Sequence, residues 1–163
     1  MKLAEIIGYQ LDMTRCAALR SLHRHLADSP FRPADTTALL LVRERPGCDQ
    51  TMLGRVLAAN RSVGMKVASR LEAQGLLTRG AGRDRRSRGL FLTAEGESVL
   101  ADLLDRHRRA EACIATRLAP GEGAQLLSLL EKVRQAVDDE DEELRSLASP
   151  FETTGQTARH ASV

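Results

Sequence analysis

A mainly α-helical fold with one small β-hairpin is the class this sequence predicts. Two observations carry it. Apolar residues recur at helical spacing over most of residues 5–148, in runs broken at Pro30, Pro46-Gly47, Gly75 and Pro120-Gly121. Only residues 76–79 and 90–92, on either side of a Gly/Arg-rich tip, read as strands.

The elements follow in order. Residues 5–27 carry Ile6, Ile7, Leu11, Thr14, Ala17, Ala18, Leu22 and Leu26 on a helical stripe, stopped by Asp28-Ser29-Pro30. Pro33 suits the first turn of a second helix, whose run Ala38-Leu39-Leu40-Leu41-Val42 implies burial on most sides and which Pro46-Gly47 ends. Asp49 is a good N-cap for a short third helix, with Met52, Leu53, Val56 and Leu57 expected to face inward. Asn60 caps a fourth helix, with Val63, Val67 and Leu71 expected in the core and Gly75 as a left-handed C-cap. The hairpin follows. Thr93 then caps a long helix reaching about residue 118, and Glu95 and Glu97 suit its positive N-terminal end. A last helix spans about residues 122–147, and residues 149–163 read as a disordered tail.

Composition narrows the function classes. The 163 residues suit one domain, or a small domain plus an oligomerisation element. Aromatic residues make up only 2% and Trp is absent, which argues against an aromatic-lined enzyme pocket or a base-stacking single-strand binder. The N-terminus lacks a continuous apolar run and no stretch reaches transmembrane length, so no membrane association is expected. Cys16, Cys48 and Cys113 are few and far apart, as in a reduced, cytoplasmic protein. His23, His25, His107 and His160 complete no ligand cluster, so neither a metal nor a cofactor is expected.

Charge is uneven. The chain carries a formal net charge of only +2. Yet residues 55–88 hold nine Lys/Arg against two acids, and residues 131–145 hold seven acids against three Lys/Arg. The basic region coincides with two short helices joined by a tight turn, followed by the hairpin. That is a helix-turn-helix frame with a wing. Such a helix fits the major groove of duplex DNA, and an Arg on a narrow tip reaches the minor groove. Arg61, Lys66 and Arg70 are placed to neutralise phosphates or read guanine edges, and Ser62 and Met65 to meet base edges or thymine methyls. Arg86 is the candidate for minor-groove readout, with Arg83, Arg85 and Arg88 adding phosphate attraction. The long flanking helices need partners for their apolar faces. A second copy of the chain in a C2 dimer is the simplest, with an intramolecular bundle as the alternative.

Three segments carry a resemblance. They are residues 49–57, residues 70–77, and Asp84-Arg85-Arg86-Ser87 followed by Leu92-Thr93-Ala94-Glu95-Gly96. The last pair is similar to the Asp-x-Arg-Ser wing element and Leu-Thr-x-x-Gly helix start of the multiple antibiotic resistance regulator (MarR) family. The chain resembles that family over about residues 5–148. The resemblance implies a single domain over residues 1–148: dimerisation helices at 5–29 and 119–148, a winged helix-turn-helix at 33–93 and a connecting helix at 93–118. It also implies a homodimeric regulator on a pseudo-palindromic operator, with Arg86 in the minor groove and Asp84 helping to hold the wing. Where the family often has Ser-Arg-x-Thr-Val-Thr, this chain has Asn60-Arg61-Ser62-Val63-Gly64-Met65, which removes hydroxyl contacts. Gly64 weakens the helix by ~1 kcal/mol relative to Ala. It permits a close approach to DNA or to the neighbouring helix.

The resemblance also implies a small effector, often an anionic aromatic compound, bound between the dimerisation helices and the DNA-binding lobe. Arg20, His23, Arg43 and His107 are the candidate cations for that crevice. Some family members sense organic peroxide through a Cys in the first helix, joined in two-cysteine versions to a second Cys across the dimer. Cys16 and Cys113 are the positions for such a mechanism, although nothing near Cys16 except Arg15 and Arg20 would lower its pKa. An enzyme is not expected, because no phosphate loop, catalytic triad order or metal-ligand cluster is present. A winged-helix interaction module without DNA binding is the other class.

Overall fold

The computed structural model describes residues 1–82 and 88–148, with side chains as far as residue 140. A 3-10 turn at Leu3–Glu5 precedes α1 (Ile7–His25), α2 (Pro33–Glu44), α3 (Gln50–Val56) and α4 (Arg61–Ala73). The strands β1 (Leu77–Ala81) and β2 (Arg88–Leu92) follow, then α5 (Ala94–Ala115) and α6 (Glu122–Ala148). The mainly helical class with one hairpin therefore stands. The expected tail at 149–163 lies outside the described residues.

The chain divides into two compact units, Met1–Ile114 and Ala115–Val163. The first holds one apolar core. Leu39, Leu53, Leu71, Leu90, Leu100 and Leu103 are fully buried in it, drawn from α2, α3, α4, β2 and α5. Helix α2 buries Asp35, Thr36, Ala38, Leu39, Leu41 and Val42, as its unbroken apolar run implied. Helix α1 behaves otherwise. Its only buried residues are Ser21 and Leu22, while Ile7, Tyr9 and Met13 of its predicted stripe and flanks are exposed. In the second unit Leu126, Leu127, Leu129, Leu130 and Val137 of α6 are exposed as well.

The two strands pair antiparallel from Leu77↔Leu92 to Ala81↔Arg88, so the strands run longer than predicted toward the tip. An isolated bridge between Cys48 and Leu90 ties the hairpin to the loop before α3. There Gly47 N–H donates to Leu90 O at 2.8 Å and Leu90 N–H to Cys48 O at 2.9 Å. The crossing needs bare backbone. A Cβ on Gly89 would stand 2.7 Å from Gly47 Cα. Thr93 performs the predicted cap of α5, its Oγ1 accepting from Gly96 N–H at 2.9 Å while donating to Gly75 O at 2.7 Å.

Candidate nucleic-acid interface

Both caps predicted for the short helices are present. Asp49 Oδ1 accepts from Met52 N–H at 2.7 Å, and Asn60 Oδ1 accepts from Val63 N–H at 3.0 Å. Between them the chain turns through Ala58, a non-glycine residue at φ 49°. The two helices then pack unusually close. A Cβ on Gly64 would lie 2.5 Å from Gln50 O and 2.7 Å from Gly54 N, and one on Gly54 would lie 2.8 Å from Asn60 O. Contact at that distance is open only to glycine, so Gly64 serves the packing of α4 on α3.

That contact sets the rotation of α4 and corrects two expectations. The buried residues are Gly64, Ala68 and Leu71, with Val67 partly covered. Val63, expected in the core, is 39% exposed, and Val56 of α3, expected to face inward, is 48% exposed. Glycine carries no apolar signal, so a hydrophobic pattern passes over Gly64 and takes its neighbour instead. Arg61, Ser62, Met65, Lys66 and Ser69 are all exposed. Arg61, Lys66 and, at the start of β2, Arg88 form no ion pair with other described residues. Arg83, Asp84 and Arg86 of the tip lie outside the described residues.

Arg70 is placed differently from the other cations. Its guanidinium grips Asp35 with both terminal nitrogens, Nη1 to Oδ2 at 3.1 Å and Nη2 to Oδ1. Asp35 is fully buried at the third position of α2, where Oδ2 also accepts Arg32 N–H at 2.8 Å. A bidentate guanidinium on a dehydrated carboxylate is a strong anchor. It binds α4 to α2. Asp35 reads in sequence only as an acid in a first helical turn, so its partner 35 residues away had no local signal. Arg79 adds a second tie, from β1 to α4, through Glu72 Oε2 at 2.7 Å and Ser69 Oγ at 3.1 Å.

A cavity of about 220 Å³ opens between α1 and α5, lined by Arg15, Ala18, Leu19, Leu22, His107, Ala110, Glu111 and Ile114. His107 is the one predicted effector residue among them. Arg20, His23 and Arg43 are exposed and do not line it, whereas Arg15 does and was not predicted. His107 Nε2 faces Glu111 Oε1 at 3.2 Å. Among the described residues its Nδ1 is buried with no hydrogen-bond partner. Cys16 of α1 is partly exposed, with its Sγ 4.0 Å from Arg15 Nη2. Cys113 is exposed on α5, its thiol donating to Ala110 O at 3.3 Å. At the far end of α1, Arg106 of α5 donates to His25 O at 3.1 Å and pairs with Asp28 at 2.6 Å and Asp102 at 2.7 Å. Among the described residues no group of His, Cys, Asp and Glu is arranged to hold a metal ion, and no helix is long and apolar enough to cross a membrane.

The chain matches no family model. It is 28% identical over 129 residues to a putative transcriptional regulatory protein for the hcr operon of Thauera aromatica, a match covering 78% of either chain. The transcriptional repressor CouR bound to a 23-mer DNA duplex is similar to it with a TM-score of 0.72 and 28% identity, over 82% of this chain and 98% of that one. CouR has also been solved bound to p-coumaroyl-CoA. The PcaV regulator from Streptomyces coelicolor, in complex with its natural ligand, is similar with a TM-score of 0.71 and 28% identity, over 84% of this chain and 97% of that one.

Proposed function

We infer that the chain is a winged helix-turn-helix transcriptional regulator of the MarR family, a homodimeric repressor that a small ligand releases from a pseudo-palindromic operator. One observation carries the DNA half of this reading. The exposed face of α4 presents Arg61, Ser62, Met65 and Lys66, unengaged by ion pairs with described residues, on a helix braced from behind by α3 and α2. A helix held that rigidly enters the major groove with its N-terminal half leading. Arg83 and Arg88 then follow the phosphate backbone and Arg86 enters the minor groove, with Asp84 helping to hold the wing. Arg70 stays with Asp35 and acts by holding α4 in place. The site of action is the cytoplasm, and no catalytic step is assigned.

The ligand half rests on the cavity between α1 and α5. At about 220 Å³ it takes roughly one aromatic ring, since ~150 Å³ already holds benzene. Its walls are mostly apolar, Arg15, which also pairs with Asp12 at 2.9 Å, is among its lining residues, and His107 Nδ1 is buried there with no hydrogen-bond partner among the described residues. A ring bearing a carboxylate, or its thioester, matches those features. CouR, with its p-coumaroyl-CoA, offers a parallel. The thiol-sensing alternative finds no such support.

Fluorescence anisotropy against the duplex upstream of the protein's own gene, with an unrelated duplex as control, tests the DNA reading. With about eight phosphate contacts per dimer, log K falls against log salt with a slope near about −7. Specific binding should resist salt better than the control, and Lys66→Ala and Arg86→Ala should weaken it. Equal binding to both duplexes, or two silent substitutions, overturns the reading. For the ligand, a thermal-shift series of single-ring aromatic acids and thioesters should raise Tm only while Arg15 and His107 are intact.

A further inference from the structure

We propose that Met65 and Val63 determine operator specificity by packing on thymine methyl groups in the major groove. The proposal rests on the DNA-binding reading above and adds to it which base the helix selects. It begins with the rotation of α4. Burial of Gly64, Ala68 and Leu71 leaves Ser62, Lys66 and Ser69 along the outer line of the helix. Met65, 47% exposed, stands on one shoulder of that line and Val63, 39% exposed, on the other.

The chemistry of this face is restricted. An Asn or Gln reads adenine by two hydrogen bonds, and an Arg reads guanine the same way. The middle of this face has none of these. Arg61 stands at the helix start, and Arg70 is bound to Asp35. Ser69 Oγ already accepts from Arg79, and a serine hydroxyl accepts and donates, so it discriminates bases weakly. Lys66 is a mobile point charge that serves phosphate as well as base. What remains is two apolar side chains held at the surface between cations. The thymine C5 methyl is the apolar feature a major groove offers them. Exposure at this position is otherwise unfavourable for both, and contact with a methyl removes it.

Deoxyuridine removes that methyl and nothing else. Duplexes enriched from a random pool by the full-length protein would be resynthesised with single dT→dU replacements and titrated by anisotropy. At one or two positions per half-site the wild type should weaken about 3- to 5-fold, the worth of one buried methyl. Met65→Ala should abolish the effect at one position and Val63→Ala at another, with unchanged circular dichroism. Uniform indifference to dU overturns the proposal, as does a dU effect that persists in both variants. Failure to enrich any duplex removes the DNA-binding reading itself, a separate result from enrichment without methyl dependence.

Discussion

At the scale of the residue, Arg70 shows how a cation on the helix proposed to read DNA acquires a different task. Removing it leaves the Asp35 carboxylate buried with only the Arg32 N–H and no counter-charge. Breaking one side of such a pair costs about 3 kcal/mol, so Arg70→Ala should lower the urea midpoint by that equivalent. An apolar double replacement, Arg70→Met with Asp35→Leu, should recover most of the loss. The salt slope of DNA binding separates this role from phosphate contact. Loss of a phosphate contact lowers the slope by about one, and Arg70→Ala should leave it unchanged. Asp28 gives a pH-dependent counterpart. Its carboxyl is held below the usual range by the hydrogen bond from Arg106, then by its own backbone amide. A depressed folded pKa means stability that is complete above the unfolded carboxylate range and is lost as pH falls through the folded value. Asp28→Asn should therefore lower Tm at neutral pH, where the wild-type carboxylate is charged, and flatten the acid limb of a Tm-against-pH curve, the two proteins converging at the acid end.

At the scale of the element, the decisive contact is the glycine pair between α3 and α4. In an open helical position Gly→Ala adds stability. At Gly64 the new Cβ meets Gln50 O and Gly54 N, both backbone, so the helices must part. Gly64→Ala should cost about 1–3 kcal/mol and weaken specific DNA binding beyond what that loss explains, as judged by anisotropy well below the melting temperature. This is also where reading the sequence stops short. Caps, breakers and helix order are local signals, and Asp49, Asn60, Gly75 at φ 75° and Thr93 all stand where their chemistry put them. The facing of a short helix is not local. Val63 and Val56 match a hydrophobic pattern, yet the absence of a side chain at residues 54 and 64 decides which side turns inward. Arg15 in the cavity was missed for a related reason, since only the approach of α5 to α1 makes a cavity there. The wing offers a test of its own. Arg88→Ala should reduce affinity about equally on all duplexes and lower the salt slope by about one, the mark of a phosphate contact.

At the scale of the whole molecule, exposed leucines pose the remaining physical question. Helix α6 carries Leu127 at 70% exposure beside Leu126, Leu129 and Leu130, and helix α1 carries Ile7 and Met13 in the same condition. Apolar surface of that extent on two helices is unfavourable in water and is relieved by a partner. A second copy is the economical partner, because a C2 axis lets one stripe cover itself and its neighbour together. DNA binding adds an independent reason. One recognition helix contacts a few base pairs, whereas two held ~34–36 Å apart bind successive turns of the same groove face. Sedimentation equilibrium should therefore give twice the chain mass of 17.8 kDa. Leu127→Glu with Leu130→Glu should give a monomer that keeps its helical circular dichroism, because both side chains are exposed within the chain. Its operator affinity should fall by about 100-fold or more, the loss expected when a second half-site no longer binds intramolecularly. Its affinity for a single half-site should hold. A variant that stays dimeric would place the interface away from α6, and a monomer that keeps full operator affinity would remove the need for two chains.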